Sequence, residues 1–426
     1  MCNELLENID RVPDLDPELK KRYIGEAKVL RAYNYYELYT KFGDVPYTTK
    51  VLSIKESMSI ARTAKATVIA NVLADLDEVI NGNYLPTSYD ADNKGRITRW
   101  AAMAIKAKIY LFEGNWTQVK NITSTIMTEG GFKLFGSYAG LFEIANEYNS
   151  EVILDAQYRP TSREHQMMYV FLPPTLGGYS QLSPLQELVD SYIMLDGKTI
   201  KETGTSFDES HPYANRDPRL KATVMYTGNS YTLADGTEVV INCEKGEGKD
   251  GYGVGSDCSA TGYYIKKYWD NTYRATLYSG LNPILIRYAD ILLMNAEALA
   301  ELGELDKTAW DATIKPIRDR AGFTLASALE FPEGASKDKL IEIVRNERRS
   351  ELALEGHRHK DIIRWRIADD VLNGWCHGLK TNEVVGTDNG YVRVENRAFN
   401  ANKHYLWPIP QAERDLNGNL EQNPNW

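Results

Sequence analysis

Apolar residues recur at helical spacing through residues 18–42, near the start of the chain. Ala27, Leu30 and Leu38 fall on one side of this stretch. The pattern stops at Gly43, a residue type that commonly ends helices. The stretch is therefore predicted to form a long helix.

The same periodicity predicts further helices in both halves of the chain. Thr98 is a suitable N-terminal capping residue for one of them, which would run to Gly114. A long charged stretch near the C-terminus carries glutamates four residues apart beside arginines, a spacing that pairs opposite charges along a helix. The further predicted helices cover residues 64–80, 98–114, 116–127 and 336–355.

One short pattern occurs twice. The sequence AKIYLFEGNW at 107–116 is echoed by AEALAELGEL at 296–305, and in each the first alanine precedes the glycine by seven residues. Small residues, a helix stop and a second amphipathic helix are the features of a tetratricopeptide-like helix pair. We therefore predict a mainly α fold, a superhelix of tetratricopeptide-like helix pairs with long loops and a few short strands.

Residues 140–280 differ from the helical parts on either side. They are rich in Tyr, Gly, Pro, Asn and Asp, and short strands are predicted at 151–158, 221–227 and 238–243. Binding residues concentrate in loops that are carried by a rigid scaffold. The sequence therefore predicts three parts: an N-terminal helical part at 1–139, a loop- and Tyr-rich ligand-binding insertion at 140–280, and a C-terminal part at 281–426.

Composition argues against two classes of function and favours a third. In the 426 residues, 49 Lys and Arg against 59 Asp and Glu give a net charge of −10, which disfavours nucleic acid as the main partner. The apolar stretches are far shorter than the roughly 18–20 residues of a membrane-spanning helix. The 27 Tyr and 8 Trp outnumber the 10 Phe, so most aromatic rings carry a polar group and suit a polar ligand.

Motifs for cofactor, metal or catalytic chemistry are weak. The GxGxxG pattern that starts at Gly246 continues into a Gly-rich loop, where a dinucleotide site needs a helix. His357 and His359 stand beside arginines, and ion pairing explains them better than a metal does. The sequence therefore predicts no cofactor, no metal and no catalytic residue. It leaves open whether Cys243 and Cys258 form a disulfide or stay free thiols.

Four blocks of sequence carry a specific resemblance. They are RAYNYYELYTKFGDVPY at 31–47, NPILIRYADILLMNAEALAELG at 282–303, IVRNERRSELALEGHRHKDIIRW at 343–365 and YLWPIPQAERDLNGNLEQNPNW at 405–426. In order and spacing these blocks resemble the SusD/RagB family, and the stretch ELVDSYIMLDGK at 187–198 extends the resemblance through the middle. The resemblance covers nearly the whole chain.

The resemblance implies a function as well as a fold. Members of the family are surface-exposed lipoproteins of the outer membrane that bind a nutrient, usually a glycan, and deliver it to a SusC-like TonB-dependent porin. The resemblance thus implies a non-catalytic, carbohydrate-binding protein of polysaccharide utilization. It also implies that conserved charged residues hold the helices together, namely Arg287, Asp290, Glu297, Glu347, Arg348, Glu351, Arg358 and Asp361.

The N-terminus departs from the family pattern. Cys2 directly follows Met1 and lacks the apolar run that precedes a lipid-accepting cysteine. The family's first helices are not visible either. We therefore expect a chain truncated at its N-terminus, without the lipid anchor that would be its only attachment to the membrane.

Because glycan contacts in the family lie on variable loops, the contact residues are predicted from their chemistry. Residues 263–278 contain six aromatic side chains beside Asp, Asn and Arg, a combination that stacks on sugar rings and hydrogen-bonds to hydroxyls. The alternative is that most of these rings pack in the core. The predicted glycan contacts are Trp269 and Tyr273 as stacking platforms, Asn271 and Arg274 as hydroxyl partners, and Tyr179 as an opposing wall.

Three other functions stay open at this point. One is capture of peptides by a member of the same family, for which a cleft with backbone partners and mixed charges would serve. A second is glycoside hydrolysis, which needs a pair of catalytic carboxylates and has 59 acidic residues to draw it from. The third is an adaptor of helical repeats that binds protein alone.

Overall fold

The computed structural model describes residues 1–272 and 276–426 and is mainly helical, which confirms the predicted fold class. Within these residues, no helix is both long and apolar enough to cross a membrane. The helices are α1 Cys2–Asn8, α2 Pro17–Phe42, α3 Ile54–Ser57, α4 Lys65–Asn81, α5 Arg99–Phe112, α6 Trp116–Glu129, α7 Met167–Phe171, α8 Gln186–Ser191, α9 Pro218–Thr223, α10 Tyr288–Leu302, α11 Lys307–Ala312, α12 Ile314–Ala321, α13 Ala326–Leu329, α14 Lys337–Glu351, α15 Arg358–Arg364, α16 Ala368–Val371 and α17 Gln411–Leu416.

The strands are short and form four small antiparallel sheets in the described part of the chain. Three sheets are pairs, β1 with β6, β2 with β5 and β3 with β4, and in the fourth β9 lies between β7 and β8. The strands are β1 Val152–Asp155, β2 Val224–Met225, β3 Ser230–Thr232, β4 Glu238–Val240, β5 Tyr264–Ile265, β6 Ile284–Arg287, β7 Gly374–Lys380, β8 Thr387–Asp388 and β9 Tyr391–Arg397.

The chain forms two compact units, each assembled from segments that are distant in sequence. The first unit consists of Met1–Gly131, His359–Leu372 and Phe399–Trp426. The second unit consists of Phe132–Arg358 and Asn373–Ala398. The loop-rich middle of the chain, residues 140–280, therefore belongs wholly to the second unit.

The four long helices of the first unit begin and end close to where the sequence predicts. Asp16 caps α2, and its carboxylate accepts the N–H of Leu19 at 2.8 Å. Thr98 caps α5, and its hydroxyl accepts the N–H of Ala101 at 3.3 Å. The observed bounds of α2, α4, α5 and α6 lie within two residues of the predicted ones. Periodicity and capping residues were sufficient here because the helices are long and strongly patterned.

The first unit is built on helix pairs. Helix α2 packs on α4, α4 packs on α5, and α5 packs on α6. The side chains of Val29, Leu76, Ile105 and Val119 are at most 1% exposed between these helices. The C-terminal segment returns to this unit, where the Asn423 side chain donates to a carbonyl oxygen at the end of α2. The predicted pairing of α5 with α6 is confirmed.

The second unit contains a buried network of charges. Five cationic side chains face five carboxylates, and every one of these side chains is at most 7% exposed. The cations are Arg219, Lys267, Arg287, Arg318 and Arg320, and the carboxylates are Glu151, Asp217, Glu347, Glu351 and Glu355. The charges of the network therefore balance.

Glu351 on α14 is the centre of this network. Its Oε2 lies 2.8 Å from Nη1 of Arg219 and its Oε1 lies 2.6 Å from Nη1 of Arg287. It also pairs with Arg320. Burial alone would raise the pKa of Glu351, but the three guanidinium groups hold that pKa well below its usual value. One carboxylate thus ties together α9, β6, α12 and α14.

Helix α14 ends at Glu351, four residues earlier than predicted. Beyond the helix, Leu354 adopts a φ of +63°, a left-handed conformation that an α-helix does not contain. The turn places the Glu355 carboxylate 2.7 Å from Nζ of Lys267 and 2.7 Å from Nη2 of Arg287. These ionic contacts compensate for the backbone hydrogen bonds that a further helical turn would have made. Periodicity does not report such contacts, so it predicts a helix that is too long.

The scaffold role that the family resemblance implies is confirmed for several charged residues. Arg287 and Glu351 meet in the network. Outside it, Nη1 of Arg348 lies 2.6 Å from Oδ1 of Asp290 and joins α14 to α10. All four of these side chains are nearly or fully buried, so they support the fold and are not available to a ligand.

All four cysteines are free thiols. Cys243 is buried, and burial raises its pKa to about 12. The Sγ of Cys258 donates to the carbonyl oxygen of Lys249 at 3.3 Å. Of the two alternatives for Cys243 and Cys258, the structure shows the free thiols.

Replacing Glu351 by alanine should destabilise the second unit severely. The substitution leaves three buried guanidinium groups without a shared carboxylate, and breaking a buried ion pair costs about 3–5 kcal/mol of unfolding free energy. Urea denaturation followed by circular dichroism measures the loss. Asp311→Ala is the matched control, since Asp311 forms an exposed pair with Lys307 and should leave the midpoint unchanged. Equal midpoints for both variants would contradict the central role of Glu351.

Stability should fall as the pH is lowered from about 4.5 towards 2. Burial alone would raise the pKa of Glu355, but Arg287 and Lys267 lower it from 4.5 to about 2. The unfolded chain therefore binds a proton at a higher pH than the folded chain does, and acid favours unfolding across that window. Urea midpoints measured at several pH values test this. The Glu355→Gln variant should show a shallower pH dependence than the unaltered protein, and an identical slope would rule out this contribution.

Candidate functional site

The loop that follows α7 folds back onto that helix. The backbone N–H of Tyr179 donates to the carbonyl oxygen of Tyr169 at 2.8 Å. The return is tight at Gly178, where a Cβ atom would lie 2.2 Å from the carbonyl oxygen of Leu172. Glycine, which has no Cβ atom, is therefore required at this position. The tight return brings Tyr169 and Tyr179, ten residues apart, into contact.

Asp270 and Ser279 hold together the two ends of a second loop. The buried carboxylate of Asp270 accepts a hydrogen bond from the Ser279 hydroxyl. The backbone of Ser279 exchanges hydrogen bonds of 2.9 and 3.0 Å with that of His165. Gly280 lies so close to Pro160 that a Cβ atom would be 2.2 Å from the proline nitrogen. These contacts fix the end of the loop against the residues that precede α7.

Three tyrosines from these loops form an aromatic surface, which we call the tyrosine face: Tyr169, Tyr179 and Tyr278. The rings of Tyr169 and Tyr179 are stacked, with centroids 5.5 Å apart and planes 9° apart. The ring of Tyr278 meets Tyr169 edge-on at 6.3 Å and 81°. Tyr179 is 46% exposed and Tyr278 is 39% exposed. Large rings held by their neighbours yet open to solvent are suited to stacking on a ligand.

The segment that pairs with Ser279 also carries an exposed arginine, Arg163. The backbone of His165 pairs with that of Ser279, which follows Tyr278. The His165 ring meets the Tyr158 ring edge-on, with centroids 4.8 Å apart. The guanidinium of Arg163 stands over the Tyr158 ring at 5.4 Å. This part of the site therefore offers exposed hydrogen-bond donors beside aromatic rings.

A polar layer lies behind these loops and is organised by Asn282. Its side chain accepts the N–H of Tyr158 at 2.6 Å and donates to Asp155 at 3.0 Å, and its own N–H donates to Glu147 at 2.7 Å. Burial raises the pKa of both Asp155 and Glu147, although the hydrogen bonds from Asn282 partly offset this. Raised carboxyl pKa values occur in structural layers and in acid catalysts alike, so the hydrolase alternative stays open for these two carboxyls.

Trp269 packs against the hydrophobic core of the second unit. Its indole N–H donates to the carbonyl oxygen of Thr232 at 2.9 Å, and its ring meets Tyr231 edge-on at 5.3 Å. It is half-buried, so part of the indole is open to solvent. Trp269 is joined in sequence to Asp270, which contacts the neighbour of Tyr278. Its predicted role as a stacking platform stays a prediction.

The other predicted contacts divide into two groups. Tyr179 belongs to the tyrosine face, where it stacks on Tyr169; among the described residues it makes no ring contact with Trp269. Asn271 is half-buried in the loop that follows Trp269. Tyr273 and Arg274 lie outside the described residues. The structure thus brings Tyr179 to an exposed aromatic surface, and the ligand contacts of all five residues stay predictions.

The core-packing alternative is confirmed for three rings of the 263–278 cluster. Tyr263, Tyr264 and Tyr268 are 2%, 0% and 8% exposed. The hydroxyl of Tyr264 donates to the carbonyl oxygen of Asp250, and that of Tyr268 accepts the N–H of Ile284. Buried hydroxyls with partners are typical of structural tyrosines.

Sequence reasoning missed Tyr169 and did not select Tyr278. The signal for Tyr169 was present in the turn residues Pro173, Pro174, Gly177 and Gly178, because a tight turn returns the chain onto itself. The contact of Tyr278 with Tyr169 depends on the pairing of two segments more than one hundred residues apart. No local pattern reports such a pairing.

The described residues contain no cluster of side chains suited to a metal ion. Within residues 1–272 and 276–426, no three His, Cys, Asp or Glu side chains are placed to hold a metal ion. What the tyrosine face offers is stacking and hydrogen bonding.

Comparison with known proteins places this geometry in a family. The model of the SusD family matches residues 141–426. A second family model, described as starch-binding associating with outer membrane, matches residues 1–111. The matches together cover most of the chain.

Individual relatives agree with these matches. SusD-like protein P25 of Formosa agariphila is 28% identical over 395 residues, which are 87% of this chain and 69% of that protein. The crystal structure of a SusD-like carbohydrate binding protein from Bacteroides fragilis has a TM-score of 0.86 at 30% identity, covering 99% of this chain and 83% of that one. Another SusD-like protein from the same species has a TM-score of 0.84 at 28% identity, covering 100% and 83%. The chain therefore belongs to the SusD family.

Proposed function

We propose that this protein binds a glycan, without catalysis, at the tyrosine face and the adjoining Trp269 loop. The observation that carries the proposal is the stacking of Tyr169 on the solvent-exposed Tyr179, on a loop that is held by backbone hydrogen bonds. Membership of the SusD family and the likeness to a SusD-like carbohydrate binding protein support it.

The chemistry of the tyrosine face suits a sugar. Apolar CH faces of a pyranose ring pack on flat aromatic rings, and sugar hydroxyls exchange hydrogen bonds with phenol groups. The hydroxyls of Tyr169, Tyr179 and Tyr278 have no hydrogen-bond partner among the described residues, so they are available to a ligand. Trp269 and Tyr273 as platforms, with Asn271 and Arg274 as hydroxyl partners, complete the proposed contacts of the 140–280 insertion.

The proposed biological role is capture of the glycan at the cell surface and its delivery to a SusC-like TonB-dependent transporter of the outer membrane. Family membership and the outer-membrane description of the second family model support this role. Copurification of the transporter with the full-length protein from its native membrane is the direct test. Recovery of the protein without any TonB-dependent transporter would contradict the partnership.

Removing rings from the tyrosine face should weaken glycan binding. Tyr179→Ala and Tyr278→Ala should each lower affinity about tenfold, since a well-packed aromatic contact contributes on the order of 1.4 kcal/mol or more to binding. Isothermal titration calorimetry with starch and with mannan- and xylan-derived oligosaccharides measures this. Trp375→Ala is the control, because Trp375 is 43% exposed on β7, outside the tyrosine face. Unchanged affinity in both tyrosine variants would rule out this surface as the binding site.

Two substitutions of Trp269 separate a ligand contact from a structural one. Trp269→Phe keeps a ring but loses the hydrogen bond to Thr232, whereas Trp269→Ala loses both. If Trp269 stacks on the glycan, the alanine variant should bind about tenfold more weakly and the phenylalanine variant should keep most of the affinity. Thermal denaturation of the same samples reports the structural effect. Lower melting temperatures with unaltered affinity would restrict Trp269 to packing.

The remaining alternatives give different results in the same assays. A peptide-binding protein would enrich sequences from a peptide library and bind no glycan. A hydrolase would release reducing ends from the best-bound oligosaccharide, and Glu147→Gln would stop that release if the raised-pKa carboxyl were the acid. A flat time course for reducing ends supports the non-catalytic proposal.

A further inference from the structure

A second aromatic site lies elsewhere in the second unit, as a pocket of about 610 Å³. Four tyrosines line it, and we call it the tyrosine pocket: Tyr213, Tyr226, Tyr263 and Tyr391. None of them belongs to the tyrosine face. Its volume lies within the range of small-ligand sites, which is about 300–1,000 Å³.

Three of the four pocket tyrosines contact one another: Tyr213, Tyr226 and Tyr263. The rings of Tyr213 and Tyr226 are stacked, with centroids 3.9 Å apart and planes 16° apart. The hydroxyls of Tyr213 and Tyr263 are 3.2 Å apart, and that of Tyr263 donates to Oε1 of Gln186 at 2.5 Å. Tyr263 is 2% exposed. The aromatic walls are thus held in place by partners of their own.

One side of the pocket holds a charged cluster that pairs internally. Nζ of Lys380 lies 2.6 Å from Oε1 of Glu209, and the Tyr391 hydroxyl donates to the same oxygen at 3.4 Å. Burial, with the charges of Asp190 and Glu209, raises the pKa of Tyr391 to about 12. Tyr391 is therefore a protonated phenol at neutral pH. The only lysine that lines the pocket within the described residues is neutralised by Glu209.

Three lining side chains offer unused hydrogen-bonding groups. Among the described residues, the hydroxyl of Tyr226, the carboxylate of Glu244 and the side-chain amide of Asn382 have no protein partner. They supply both donors and acceptors, which is the combination that vicinal hydroxyls require. The lining contains two carboxylates, Glu209 and Glu244, and one lysine, Lys380, so acidic groups outnumber lysines and disfavour an anionic ligand.

We propose that the tyrosine pocket is a second binding site, which accepts one neutral sugar ring, either free or at the end of a chain. Stacked tyrosines provide the aromatic wall, and Tyr226, Glu244 and Asn382 provide the hydroxyl partners. The inference rests on glycan binding as the proposed function but places a site apart from the tyrosine face. A protein with both sites binds a polysaccharide along its surface and a single ring in the pocket.

Saturation-transfer NMR with monosaccharides tests this inference. Glucose, galactose, mannose, xylose and N-acetylglucosamine serve as neutral probes, and glucuronate serves as the anionic probe. At least one neutral sugar should bind the unaltered protein and the Tyr278→Ala variant equally. Its affinity should fall about tenfold or more in Glu244→Gln/Asn382→Ala, because two hydrogen-bonding groups are changed. Both substituted residues are exposed, so the variant should fold as the unaltered protein does.

Three outcomes would overturn the proposal that the tyrosine pocket binds a sugar. They are an absence of binding by every neutral monosaccharide, equal binding by the unaltered protein and Glu244→Gln/Asn382→Ala, and loss of monosaccharide binding in Tyr278→Ala. Polysaccharide calorimetry on the same samples separates the two proposals. If a polysaccharide binds but none of the neutral monosaccharides does, the tyrosine face stands and the pocket fails. If no glycan of either kind binds, both proposals fail.

Discussion

Ten charged side chains buried in the second unit, five cationic and five anionic, form the constraint on which that unit depends. A charge removed from water is tolerated only where opposite charges and hydrogen bonds replace its hydration. Glu351 meets three guanidinium groups, so α9, α12, α14 and the end of β6 have to come together in one arrangement. A shift of any one of them would leave a buried charge unpaired, and this makes the arrangement specific.

The network also anchors the segment that carries part of the proposed glycan contacts. Nζ of Lys267 donates to Glu355 and to the carbonyl oxygen of Ala353, at 2.7 and 2.8 Å. Two residues later the same segment carries Trp269 and then the loop that ends beside Tyr278. A loop that starts from a fully paired buried lysine has little freedom at its origin.

The abundance of tyrosine suggested a polar ligand, but the structure divides the tyrosines into distinct roles. Tyr264 and Tyr268 are core residues with partnered hydroxyls, whereas Tyr179 and Tyr278 are exposed. The sequence predicted ligand contacts in the Trp269 loop and at Tyr179 of the Pro/Gly loop, and these contacts stay predictions. It could not distinguish buried from exposed rings, because both kinds occur within sixteen residues of one another without a helical or alternating pattern.

The sequence by itself determined the four long helices of the first unit, their pairing and the family, because periodicity, capping residues and ordered motif blocks are local or linear features. Only the tertiary structure decided where α14 ends, which rings face solvent and which residues form the tyrosine face. Those outcomes depend on contacts between distant segments. Glu355, four residues beyond the end of α14, pairs with Lys267 and Arg287. The free energy of such contacts arises from burial and charge pairing in three dimensions, and a residue's neighbours in sequence do not encode them.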